Sequence, residues 1–371
     1  MRKMPLTVAS AAFFLLIVGA TDIQSLGQQT ARYKVGMTQR KFVPREPYNW
    51  RGAKTHALVT MIWYPAEAPA QEQPQWIGSP ASPFASAGKA ASDAKLAASP
   101  AKFPLIVLSH GTGASAPMMA WLGTALAAHG YIAAAVNHPG NNALESYTPQ
   151  GFGLWWERAH DLSTLIDQML ADPMFASRID SKRIGAAGFS LGGYTMIEIA
   201  GGITQPSLLT DFCKSKAADG MCVPPAEFPD LNTKLEAVVK SDHEVQTSFQ
   251  HASDSYRDAR VRAVFAIAPA LGPAFKPESL AKISIPVEIV AGDADTVVPV
   301  ASSAKFLALK IPHSKLLLLP GVGHYTFLAT CGPQGKQSRA DLCTDAAGID
   351  RDQVHDQTAQ GAVSFFADHL K

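Results

Sequence analysis

The sequence predicts an α/β fold: a mostly parallel central sheet with helices on both faces. Three continuous apolar runs carry that reading: PLIVLSH (104–110), YIAAAVNH (131–138) and RIGAAGFS (183–190). A strand with one wet face alternates polar and apolar residues, whereas a strand covered on both faces reads as an unbroken apolar run. Between the second and third runs, residues 157–169 place Ala159, Leu162, Leu165, Ile166 and Met169 at spacings of three and four, the stripe of an amphipathic helix. Strands alternating with helices in this way build a sheet wrapped on both sides.

The remaining elements follow in order. Residues 33–64 read as leading strands, clearest in THALVTMIWYP, which stops at Pro65. Residues 66–102 are mainly Ala, Pro, Ser, Gln and Gly with no periodicity, which predicts a flexible surface loop. Met119, Leu122, Leu126 and Ala127 share one face of a further helix. The alternation then breaks from 202 to 258, where Pro, Asp, Lys and two Cys accumulate, and an inserted cap is expected there. It resumes with RVRAVFAIAPA (260–270), IPVEIVAG (285–292) and SKLLLLPG (314–321), and a last helix is expected over 352–369. There is no internal repeat.

With 371 residues, 47% of them hydrophobic, the chain can bury a large core, and residues 33–371 are read as one domain. Lys+Arg and Asp+Glu stand at 32 against 31 with no basic run, so no nucleic-acid partner is expected and a neutral or weakly charged small-molecule substrate is the easier expectation. At the start, Arg2 and Lys3 precede the apolar run AAFFLLIV (11–18), and Val18 and Ala20 are small residues spaced for signal peptidase. Residues 1–20 therefore read as a cleaved signal peptide, with the mature protein periplasmic or secreted and holding no stable membrane span. Cys213 and Cys222, and Cys331 and Cys343, form two close pairs in loop-like surroundings. In an oxidising compartment they are expected to form two local disulfides, and without a Cys-x-x-Cys no metal site is expected.

In an α/β sheet, function sits at the carboxyl ends of the strands. Gly188-Phe189-Ser190-Leu191-Gly192 is a G-x-S-x-G placed where an apolar strand turns into a helix, a turn that lifts the serine hydroxyl clear of the sheet. His324, in PGVGHYTF after the final strand, is placed to take the hydroxyl proton as general base. Asp295, in AGDADTVVP, is placed to hold the imidazole; its neighbour Asp293 is the rival and is expected to cap the turn. His110-Gly111-Thr112-Gly113 ends another strand, so the backbone amides of Thr112 and Leu191 are candidate oxyanion donors. His110 reads as a structural hydrogen-bonding residue. His138, Trp121, Trp155 and Trp156 are candidate substrate-binding residues, although a Trp is as often core.

These residues resemble the α/β-hydrolase superfamily, and within it the platelet-activating-factor acetylhydrolase-like and predicted dienelactone hydrolase families of bacteria. The resemblance rests on WYPA at Trp63, PLIVLSHGTG, the HGY…NHPGN stretch from His129, GFSLGG, AGDADTVVP and PGVGH, and covers the chain from about Tyr33 onwards. It implies Ser190 as nucleophile, Asp295 as acid, His324 as base, and Thr112 and Leu191 as oxyanion donors. Dienelactone hydrolases proper use a Cys nucleophile, so Ser190 argues against lactone ring-opening. The expected activity is hydrolysis of carboxylic esters with neither metal nor organic cofactor; a lipase or phospholipid deacetylase, an amidase and a thioesterase share the same machinery. A non-catalytic binding protein of the same fold would be expected to have lost one of the three residues, and all are present.

Overall fold

The computed structural model describes residues 30–45 and 47–371; the expected signal peptide lies outside the described residues. The strands are β1 (Lys34–Phe42), β2 (Leu58–Ala66), β3 (Gln73–Ser79), β4 (Ser82–Ser92), β5 (Phe103–Ser109), β6 (Ile132–Val136), β7 (Ile179–Phe189), β8 (Val261–Ile267), β9 (Val287–Gly292) and β10 (Lys315–Leu319). They lie in the order β10-β9-β8-β7-β5-β6-β2-β1-β4-β3. The six from β6 to β10 are mutually parallel, and β2 joins them antiparallel through β6. This is the α/β-hydrolase fold, a mostly parallel sheet with helices on both faces.

Every residue of β5 and β6 is buried, as their continuous apolar runs require. Strand geometry then sends alternate side chains to opposite faces. Leu105, Val107, Ile132 and Ala134 meet Leu162, Leu165 and Ile166 of helix Glu157–Ala171. Ile106, Leu108, Ala133 and Ala135 meet Leu122 and Leu126 of helix Ala120–Ala128 and Val363 and Phe366 of helix Arg351–His369. From β5 the chain moves outward to β6, then crosses back to β7 on the other side of β5. That reversal opens a crevice beyond the carboxyl ends of β5 and β7, where ligands bind in sheets of this kind.

One expectation needs correction. Residues 66–102 are not a flexible loop: they hold the β3–β4 hairpin, registered from Gln73↔Ala90 to Ser79↔Ser82. Strand β4 does alternate, burying Pro83, Ala85 and Ala87, but it does so in residues too small and too weakly β-forming to give hydrophobic contrast. Tertiary pairing supplies what propensity lacks. Gly36↔Ala91 joins β4 to β1, and the amide of Gly332 donates to Phe84 O at 2.8 Å.

Residues 202–258 carry helices Pro206–Lys214, Leu231–Ser241 and His243–His251 and no strand. The disulfides are Cys213–Cys222, within this segment, and Cys331–Cys343, beyond the last strand. Among the described residues no helix is long and apolar enough to cross a membrane.

Candidate active site

Strand β7 ends at Phe189, and helix Leu191–Ile199 begins one residue later. The intervening Ser190 has φ +57° and ψ −117°, a strained conformation for a residue with a Cβ. Three backbone bonds hold it there. The Ser190 amide donates to Ile267 O at 2.8 Å, and its carbonyl accepts from Tyr194 and Ala270, both at 3.0 Å. The flanking glycines are required by backbone packing. A Cβ on Gly188 would stand 2.6 Å from the carbonyl carbon of Gly192, and one on Gly192 would stand 2.6 Å from that of Ser109.

His324 opens the short turn His324–Phe327 after β10. Its Nε2 lies 2.9 Å from Ser190 Oγ and its Nδ1 lies 2.6 Å from Asp295 Oδ2, with all three side chains buried. A carboxylate only accepts, so Nδ1 carries the proton and Nε2 presents its lone pair to the serine hydroxyl. Asp295 is itself fixed, because its Oδ1 accepts from the amides of Val297 (3.0 Å) and Val298 (2.7 Å). The rival Asp293 instead accepts from the Gly321 amide at 2.7 Å, tying the turn after β9 to the turn after β10.

The segment after β5 lies against this elbow-like turn at Ser190. A Cβ on Gly111 would be 3.2 Å from Ser190 Cβ, and Gly113 has φ +61°. Two asparagines anchor this loop: the Gly113 amide donates to Asn141 Oδ1 (2.7 Å) and the Ala116 amide to Asn137 Oδ1 (2.8 Å). Thr112 immediately precedes the first of these anchored amides. Leu191 is the first residue of its helix, where amides have no partner within the helix.

Residues 202–258 reach both sides of this crevice. The Glu227 side chain packs beside Gly113, and Tyr147 donates to Gly113 O at 2.8 Å. On the other side, Ser302 donates to Asp219 Oδ2 at 2.5 Å, a few residues beyond Asp295. A separate groove of about 590 Å³, lined by Tyr48, His160, His243 and Tyr256 among others, contains none of Ser190, Asp295 and His324.

The residues expected in a substrate wall are engaged elsewhere. His138 is fully buried, with Nδ1 2.7 Å from Asp161 Oδ2 and Nε2 2.9 Å from Ser109 Oγ. Burial, reinforced by Arg158, lowers its pKa to about 3, so the ring is neutral. Trp156 is also fully buried and donates to Ser248 Oγ at 2.9 Å beneath helix His243–His251. Trp155 packs edge-on to it, their ring centroids 6.2 Å apart, between two core clusters. Trp121 donates to Phe327 O at 3.1 Å and stacks on His355 at 4.5 Å, which props the His324 turn from outside the crevice. Bulk and apolarity suggested pocket walls for these tryptophans, but buried indole N–H groups need partners, and the partners found lie in the scaffold.

Sequence reasoning missed the polar cluster beneath the β5 end. Asp161 accepts from Arg51 Nη2 on both oxygens (2.7 Å each) and from Tyr48 at 2.5 Å, besides facing His138. Burial alone would raise its pKa, yet Arg51, His138 and Tyr48 hold it well below the usual carboxylate range. The available signal was Arg158 and Asp161 on the apolar side of an amphipathic helix, three residues apart.

A serine in a left-handed turn between β7 and its helix thus faces a histidine and an aspartate from the later loops of a sheet with the α/β-hydrolase fold. Residues 81–151 of the chain match the family model described as platelet-activating factor acetylhydrolase, isoform II. That segment carries β4, β5, β6 and the loop at 110–113, and stops short of Ser190. Among solved structures, the chain is similar to the ferulic acid esterase from Streptomyces cinnamoneus, with a TM-score of 0.60 and 19% identity, covering 93% of this chain and 92% of that one. No curated protein matches it.

Proposed function

We propose that the chain is an exported serine hydrolase that cleaves carboxylic esters. The observation carrying this reading is the pair of contacts at His324, 2.9 Å to Ser190 Oγ and 2.6 Å to Asp295 Oδ2. In the proposed reaction Ser190 attacks the ester carbonyl while His324 takes its proton, and the amides of Thr112 and Leu191 receive the negative charge on the carbonyl oxygen. His324 then protonates the departing alcohol, and water repeats the sequence to free the acid. Asp295 holds the tautomer and stabilises the imidazolium. The two disulfides suit export to the periplasm or beyond.

The test is hydrolysis of p-nitrophenyl esters from acetate to decanoate by the full chain and by Ser190→Ala. Wild-type turnover is expected, and loss of about 10⁴-fold or more in the variant; retained activity in Ser190→Ala overturns the reading. A narrower reading, hydrolysis of short acyl groups from phospholipids, is favoured by the family match over 81–151. A phospholipid with an acetyl group in place of the second long acyl chain, offered beside its long-chain counterpart, tests it.

A further inference from the structure

Successive peptide planes between β5 and the nucleophile turn are each bonded by a buried side chain, and Gly111 O also accepts from the Ala114 amide at 3.3 Å. Arg158 is fully buried, and its Nη2 donates to the carbonyl oxygen of His110 and also, at 3.3 Å, to Ser109 Oγ. The first bond sets the plane of the 110–111 peptide. His110 is likewise fully buried: its Nε2 lies 3.3 Å from the His138 amide and its Nδ1 lies 2.7 Å from Gly111 O. The amide can only donate, so Nε2 accepts and Nδ1 carries the proton that it gives to Gly111 O. Burial, with Arg158 and His138 nearby, pushes the His110 pKa well below its ordinary value, which keeps this neutral tautomer.

The bond from Nδ1 sets the plane of the 111–112 peptide. A trans peptide is rigid, with its N–H pointing opposite its C=O. Fixing Gly111 O on the buried side therefore aims the Thr112 N–H the other way. A Cβ on Gly111 would stand 3.2 Å from Ser190 Cβ, so the Thr112 amide directly follows the residue that packs against the serine.

We propose that His110 and Arg158 are positioning residues that together aim the Thr112 N–H at the oxyanion formed on Ser190. The inference rests on the serine-hydrolase reading above. The cluster behind them completes the device. Asp161 takes the Nδ1 proton of His138, so His138 Nε2 accepts from Ser109 Oγ, and that hydroxyl oxygen in turn accepts from Arg158. Arg51 and Tyr48 complete the bonds to Asp161. A group that only orients an oxyanion donor acts on the transition state and leaves ground-state binding nearly unchanged.

The experiment compares His110→Asn with His110→Gln. The amide nitrogen of Asn stands close to the place of Nδ1 and can still donate to Gly111 O; Gln reaches the place of Nε2 and loses that donor. Hydrolysis of p-nitrophenyl acetate is measured with full chains whose circular dichroism matches wild type. Asn is expected to stay within about threefold of wild-type kcat, while Gln loses roughly 10–100-fold in kcat with KM within about threefold, the scale of a misplaced catalytic group. Equal losses in both variants, or a loss carried in KM, overturn the positioning role. Should either variant not fold, Arg158→Lys is read the same way: lower kcat at constant KM supports the role and unchanged kcat overturns it. Labelling of Ser190 by a fluorophosphonate separates the two levels of the argument. Absence of labelling in wild type removes the hydrolase reading itself, whereas labelling with kcat unchanged in His110→Gln removes only the positioning role.

Discussion

His355 faces the carbonyl of Thr326 with Nε2 at 3.0 Å, which ties helix Arg351–His369 to the turn that carries His324. The carbonyl only accepts, so the ring donates. Burial, with Arg351 adding to it and Asp352 opposing, lowers the His355 pKa to about 4. A base depressed in the fold stabilises it above its unfolded value near 6.5, and that contribution is lost as pH falls through about 4. Replacing it in His355→Gln is expected to flatten the decline of unfolding free energy between pH 6.5 and 4, by at most about 1.4 kcal/mol per pH unit. Urea titrations at several pH values read this directly. Identical slopes in the two proteins would refute it; the slope left over belongs in part to His138, which shifts the same way.

The two aspartates after β9 are expected to separate chemistry from architecture. Asp295→Asn removes the acceptor of the Nδ1 proton and so favours the wrong tautomer, for a loss of roughly 10⁴-fold in kcat. Asp293→Asn loses only its charged acceptor at the Gly321 amide, and a cost of about 1 kcal/mol in stability with kcat within tenfold is expected. Ester hydrolysis and thermal melts on both variants check the pair. A catalytic collapse in Asp293→Asn alone would exchange their roles.

Two glycines are expected to respond to alanine with opposite signs. In Gly192→Ala the new methyl meets the backbone of Ser109 at 2.6 Å and of His110 at 2.9 Å, and neither can withdraw without moving β5. A destabilisation of at least about 3 kcal/mol, or failure to fold, is expected. Gly361 lies inside helix Arg351–His369, where a Cβ meets nothing closer than 3.9 Å. Gly361→Ala should gain about 0.5–1 kcal/mol from helix propensity alone. Chemical denaturation of the two variants gives the sign, and a destabilised Gly361→Ala would show that the space is not open.

The parallel strands were legible because burial on both faces writes itself as an unbroken apolar run. The elbow was legible because a strained turn confines its neighbours to glycine. Gly188 and Gly192 appear in the pattern for the same reason that they pack on backbone. Asp295 could be preferred to Asp293 from turn length alone. The β3–β4 hairpin escaped notice because Ala85 and Ala87 bury as alternating strand residues without the hydrophobicity that makes alternation visible. The Arg158–Asp161–His138 cluster escaped for a different reason. Arg158 and Asp161 share one helix, but His138 follows β6 and Arg51 precedes β2, and a buried charge is recognisable only once such distant partners are in place.

Glu198 sets the opposite pH limb to His355. It sits fully buried on the helix that begins at Leu191, its Oε1 accepting from Tyr194 and Thr204 at 2.8 Å each, and its Oε2 has no hydrogen-bond partner. Burial pushes its pKa up to about 8 even though both hydroxyl bonds pull it down. An acid raised in this way is protonated in the fold at pH values where the unfolded chain has already released the proton. Its contribution is complete below about 4.5 and is lost as pH rises through about 8. Glu198→Gln keeps the shape and the carbonyl acceptor but cannot ionise. The variant is therefore expected to match wild type near pH 4 and to exceed it in stability at pH 9, with thermal melts at the two pH values as the measurement. A variant that is less stable than wild type at pH 9 would mean that the ionised carboxylate, with Arg158 close by, is the form the fold prefers.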